Sequence, residues 1–146
     1  MIAILAIIII LQFVGPSRPE NYDSSPADLI ATEQLEEEVA TLLRNACYDC
    51  HSMESKYPWY ANIAPVKWMI YDHIYEGREE LNFSEWANLE KRAKIRKLKD
   101  IAEEVEEGEM PMESYVKMHA EANLTDEQRA MIVEWANDFS REVMRQ

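Results

Sequence analysis

The alternation of apolar and polar positions divides the chain into an apolar leader, a polar connector and a series of helices. Met1 to Val14 is apolar except for Gln12, and Gly15-Pro16 closes the run. In helical form that run reaches about 21 Å, against a hydrocarbon core of about 30 Å. It is short for a spanning helix and matches the apolar stretch of an export signal. No Lys or Arg precedes it, and neither an A-x-A site nor a lipobox cysteine follows closely. We read residues 1–15 as an uncleaved signal-anchor helix with a truncated start; a cleaved signal peptide is the alternative. Residues 16–25 form a polar linker punctuated by Pro16 and Pro19 and flanked by Pro26, expected to be extended and solvated.

The remainder, 26–146, reads as one helical domain. Ser25 as N-cap, Pro26 at the first position and Asp28 three residues after the serine predict a helix from about Pro26 to Asn45. Leu29, Ile30, Leu35, Val39, Leu42, Leu43 and Ala46 give it an irregular apolar face. Tyr57-Pro58-Trp59-Tyr60 reads as an aromatic loop. A short helix follows from Pro65 to Glu76, with Gly77 as its stop. Val66, Ile70, His73 and Ile74 share its inner face. Ser84 caps the next helix, which carries Trp86, Leu89, Leu98, Ile101, Ala102 and Val105 and ends at Gly108. Thr125 and Gln128 form a capping box for the last helix, whose stripe is Ile132, Trp135, Ala136, Phe139 and Val143. That helix is expected to pack across the first.

Composition agrees with an all-α chain. There are 3 glycines in 146 residues, while Leu, Ala, Glu, Lys and Met abound. The net charge of -13 argues against nucleic acid and for a partner with a basic docking surface. Charge is also ordered along the third helix: Lys91 to Lys99 is basic, Asp100 to Glu109 acidic. This order opposes the helix dipole. Either the acidic end docks a partner, or the helix simply presents a solvated face.

The chemistry centres on Cys47-Tyr48-Asp49-Cys50-His51, which contains both cysteines of the chain. A C-x-x-C-H run places two thiols where each can add to one haem vinyl group, with the next histidine reaching the iron. A thioredoxin-like motif would need a βαβ context, and a zinc site a second ligand pair; the sequence offers neither. One covalent haem c, held by Cys47 and Cys50 and ligated by His51, is therefore expected. For the sixth ligand, the Met110-Pro111 step after Gly108 can aim a thioether inward. Met110 is the first choice, Met112 and Met118 are weaker ones, and His73 is the main rival. His119 falls in a polar connection. Arg78 and Asn82 are candidates for the haem propionates, with surface roles the alternative. Trp59, Trp68, Trp86 and Trp135 read as haem-pocket and core residues.

Taken together, the apolar leader, C-x-x-C-H, Met-Pro loop and aromatic terminal helix resemble a small class I cytochrome c. More closely, Cys47-Tyr-Asp-Cys-His51, Tyr57-Pro-Trp-Tyr60, Asn62-Ile-Ala-Pro65, Gly77-Arg78, Leu81-Asn-Phe-Ser84, Trp86 and Gly108-Glu-Met-Pro111 resemble the bacterial haem-binding domain family. The resemblance covers about residues 8 to 140 and implies a small, exported, membrane-anchored, cytochrome c-like domain. By likeness to the proline loop of class I cytochromes, a carbonyl near Ala64-Pro65 is expected to accept the His51 Nδ1 proton. The resulting expectation is a one-electron carrier, not an enzyme, with His51/Met110 ligation. It would be tethered to the cytoplasmic membrane through residues 1–14 with the haem domain in the periplasm, and would serve redox protein partners. A haem enzyme or gas sensor with a vacant distal site, and a haem subunit of a respiratory complex, are the alternatives.

Overall fold

The computed structural model describes residues 2–145. Among them the chain is helical, with 3-10 turns and no strand. The helices are α1 (Ile2–Leu11), α2 (Leu29–Thr32), α3 (Glu37–Ala46), α4 (Tyr48–His51), α5 (Val66–Glu80), α6 (Lys91–Glu107), α7 (Glu113–Val116) and α8 (Asp126–Arg145). The fold is thus all-α, as the composition implied. None of these helices is long and apolar enough to cross a membrane. The apolar leader does form a helix, but α1 has 10 residues and reaches only about 15 Å. None of its residues is buried, and its isoleucines are half or more exposed.

α6 and α8 form the most extensive helix pair. Leu98, Ile101, Ala102 and Val105 fall on one face of α6, and Ile132, Ala136, Phe139 and Val143 on one face of α8. Both faces repeat at three- and four-residue steps, so each stripe buries against the other helix. Leu43, Phe83 and Trp86 complete the core. The last helix therefore packs chiefly on α6 and only secondarily on α3, not primarily across the first helix. Its capping box forms as expected: Gln128 N donates to Thr125 Oγ1 at 3.2 Å, and Thr125 N to Gln128 Oε1 at 2.9 Å. Gly108 ends α6 in the left-handed region at φ 81°, a conformation that glycine adopts without a Cβ clash.

The ordered charges of α6 are answered by the fold. Lys94 pairs with Glu33 and Lys97 with Glu80, each at 3.6 Å. Lys91 donates to the Met144 carbonyl at 3.1 Å. At the other end, Arg129 of α8 donates to the carbonyls of Val105 and Met110 at 3.2 and 2.8 Å. A cation from a neighbouring helix thus satisfies the carbonyl end that the helix's own sequence leaves uncompensated.

Three expected helices have different limits. The Pro26–Asn45 helix is two helices, separated by extended backbone at Glu33 and Glu36. Glu33 leaves the helical path where its carboxylate accepts from Trp86 Nε1 at 3.1 Å. Asp28, not Ser25, is the N-cap: its Oδ1 accepts from Ile30 N and Ala31 N. Gly77 does not stop α5, which runs through it to Glu80. The Ser84 helix is a 3-10 turn, Phe83–Asn88, capped by Asn82, followed by extended Leu89 and then α6. Ser84 is fully buried, and its Oγ accepts from Met53 N instead.

The connector is irregular and mostly exposed, as expected, but it is not free. It runs along α5, held by Trp68 Nε1 to Val14 O at 2.7 Å, Tyr57 Oη to Pro19 O at 3.2 Å and Arg78 Nη1 to Glu20 O at 2.5 Å. Gly15 makes this course possible. Its φ is +108°, and a Cβ there would collide with the Trp68 indole.

Candidate functional site

The C-x-x-C-H run forms α4, which follows α3 after a break at Cys47. The two residues between the cysteines dock it. Tyr48 is buried, stacks on Phe83 at 5.1 Å and donates to buried Asp28 Oδ1 at 3.1 Å. Asp49 faces the other way: Oδ1 accepts from Lys56 N at 2.9 Å and Oδ2 from Tyr115 Oη at 2.8 Å. The Tyr115 contact ties the loop after Met110 to the motif. Burial and the Asp49 charge push the Tyr115 phenol up, so it stays a donor at neutral pH.

His51 is fixed through Nδ1, which lies 2.8 Å from Gly77 O and 3.1 Å from Leu81 O. Carbonyls only accept, so the proton sits on Nδ1 and the lone pair on Nε2. Burial pulls the ring's pKa down, which keeps it neutral, the form that can ligate a metal. The expected acceptor near Ala64-Pro65 is therefore replaced by the last turn of α5. Pro65 instead caps the start of α5. Gly77 has a second role here: a Cβ on it would lie 2.9 Å from the Cys50 carbonyl oxygen, so glycine lets α5 and α4 meet.

Two adjoining apolar cavities open beside the motif. One, of about 240 Å³, is lined by Cys47, Cys50, His51, His73, Met110, Pro111, Met112 and Tyr115 among others, with Glu76 and Glu80 also on its wall. The other, of about 470 Å³, is lined by Cys50, Trp59, Met69, His73, Met112, Tyr115, Met118 and His119 among others. Cys50, His73, Met112 and Tyr115 border both. Met110 thus shares a cavity with His51 and both cysteines, and so do His73 and Met112. Met118 and His119 line only the larger cavity, and Trp59 stands at its edge, 77% exposed. His119 stacks on Tyr115 at 4.0 Å.

Cys47 and Cys50 are free thiols. Burial, reinforced by the neighbouring Cys50, pushes Cys47 up to about 12; burial, with Asp49, pushes Cys50 up to about 11. The site suits uncharged sulfur, as a thiol or a thioether.

Arg78 lines neither cavity. It donates to Ser52 O at 2.7 Å, Glu20 O at 2.5 Å and Ser55 Oγ at 2.9 Å, so it braces the connector and the turn after His51. Asn82 is likewise engaged, accepting from Ser84 N at 3.1 Å.

An imidazole with a free Nε2, two uncharged sulfurs and two apolar cavities fit a haem as the bound group. The family described as "Haem-binding domain" matches residues 6–138. The chain belongs to the haem-binding domain family and is a haem-binding protein. No curated protein and no solved structure matches it.

The sequence did not indicate Tyr48, Asp49, Gly77, Leu81 or Tyr115 as parts of the site. The position of Tyr48 and Asp49 inside C-x-x-C, and of Gly77 and Leu81 in the family-like strings, could have drawn attention to them; Tyr115 had no such signal.

Proposed function

We propose that this protein is an exported c-type cytochrome, tethered to a membrane by α1, that carries one electron through a His51/Met110-ligated haem. The observation that carries the reading is the His51 hydrogen bonding to Gly77 and Leu81, in a cavity shared with both cysteines and Met110. Cys47 and Cys50 would hold the haem as thioethers, and His51 Nε2 would be the proximal ligand. When bound, the haem supplies a one-electron iron couple.

The chain's part is to position and insulate. The Gly77 and Leu81 carbonyls keep the imidazole ring oriented and raise its basicity. The apolar linings exclude water. A thioether supplied by Met110 would favour the ferrous state and would suit outer-sphere transfer rather than substrate turnover. The reading is supported by the anchoring of the Met110 backbone, whose carbonyl accepts from Arg129 and whose N donates to Glu104 O at 3.0 Å. His73 borders both cavities and is the alternative ligand. Redox partners with basic surfaces would suit the net charge of -13.

The test is the optical spectrum of the haem-loaded chain, oxidised and reduced, for wild type and Met110→Ala. A far-red sulfur-to-iron band in the ferric wild type, lost in the variant, is the expected result. A low-spin spectrum unchanged by the variant points to His73. A high-spin resting ferric state with rapid carbon monoxide binding on reduction would overturn electron carriage in favour of a haem enzyme or gas sensor.

A further inference from the structure

We propose that the face formed by Trp59, Ile63, Val66 and Met69 rests on the lipid bilayer, so that the larger cavity opens toward the membrane surface. This inference rests on the reading of α1 as the membrane anchor and adds an orientation to it. These four residues are 77, 45, 39 and 50% exposed, and Met118 beside them is 62% exposed. Trp59, Val66, Met69 and Met118 all line the larger cavity, and as its exposed lining they mark its mouth.

Three observations select lipid as the occupant. The first is geometric. The end of α1 is pinned to the element that carries this face: Ala64 N donates to Gln12 Oε1 at 2.9 Å, Lys67 Nζ to Gln12 O at 2.5 Å and Trp68 Nε1 to Val14 O at 2.7 Å. Whatever takes up the exposed isoleucines of α1 therefore begins at the N-terminal end of α5, next to Ile63, with Val66 and Met69 round the helix from the Lys67 and Trp68 contacts. The strap along α5, seated under Trp68 at Gly15, removes the slack that would let the domain tumble on its tether.

The second observation is charge. The chain has 28 Asp and Glu residues. None of them lies in residues 1–19 or 56–71, the two segments that these hydrogen bonds join. Lys56 and Lys67 stand there instead, and Arg18 covers the Tyr57 ring at 3.9 Å. Two joined segments of an acidic protein are thus free of acidic residues, which is compatible with anionic headgroups, while Asp49 lies in the cavity lining. The third is residue type. Trp59 and Tyr60, at an edge-to-face distance of 5.8 Å, combine an apolar body with a polar tip; such side chains favour the headgroup region.

The orientation restricts which partners can reach the larger cavity: a donor or acceptor using it must approach in or along the membrane plane.

The test is photolabelling of the full, haem-loaded chain in vesicles of phosphatidylcholine and phosphatidylglycerol containing a diazirine-bearing phospholipid. Met144 is 49% exposed against 50% for Met69, so the two methionines are matched in accessibility and differ in predicted lipid contact. Expected are adducts on α1 and on residues 59–69, the latter severalfold above residues 131–145. Adducts on α1 with residues 59–69 no higher than 131–145 would overturn the orientation and leave the anchor intact. No adducts on α1 would overturn the anchor and the orientation with it.

Discussion

The half of the molecule built from α3, α6 and α8 and the half built from α4, α5 and the connector are held together by different forces. In the first, Leu43, Trp86, Leu98 and Ile132 are entirely or almost entirely removed from solvent, and the packing is side chain against side chain. In the second, Tyr48, Tyr71 and Ile74 are buried, but many joints are hydrogen bonds to backbone carbonyls from Arg78, His51 and Trp68, and much of the apolar surface lines cavities. The first half is a finished core. The second is shaped around something that the polypeptide does not supply. A large apolar group bound there would fill space that otherwise forfeits dispersion contacts, so a haem in these cavities would complete the packing.

The largest effect that would break this contrast comes from Cys47→Ala/Cys50→Ala. Covalent haem, detected by staining after denaturing electrophoresis, should be lost altogether, while far-ultraviolet circular dichroism still reports a helical scaffold. Trp86→Ala acts on the other half. Removing a fully buried indole should cost about 3–5 kcal/mol in urea unfolding, without changing the position of the haem bands below the unfolding midpoint.

Arg78→Gln sharpens the comparison at intermediate size. It removes a charge-assisted clamp on Glu20 and Ser52, worth about 1.5–3 kcal/mol. Hydrogen exchange should speed up in the connector and in the turn after His51, with α6 and α8 unaffected. The smallest effect is on pH dependence. An unfolded histidine titrates near pH 6.5, and burial places folded His51 lower. Between the two values the unfolded state binds more protons, so this contribution is full above about pH 6.5 and is lost as pH falls toward the folded value. The urea midpoint of the haem-free chain should fall on acidification through that range, and His51→Gln should flatten the dependence.

The scaffold was largely legible. The stripes of α6 and α8, the Thr125–Gln128 box and the Gly108 stop are local patterns, and local patterns survive folding when no neighbour competes. Where a neighbour competes, reading fails. Glu33 leaves the helix to meet Trp86 and Lys94, Ser84 turns inward to Met53, and Gly77 stays helical because α4 packs against it. The expected solvated linker is strapped down by donors from α5 and from the loop before it, up to 58 positions away in sequence.

By itself the sequence determined the helical class, the thiol-thiol-imidazole motif and the charge of the chain, because composition and spacing are properties of neighbouring residues. Only the tertiary structure decided which carbonyls orient His51, which of the methionines and histidines border its cavity, and what Arg78 braces. Each of those depends on chain segments brought together across tens of residues, and no local pattern encodes that distance.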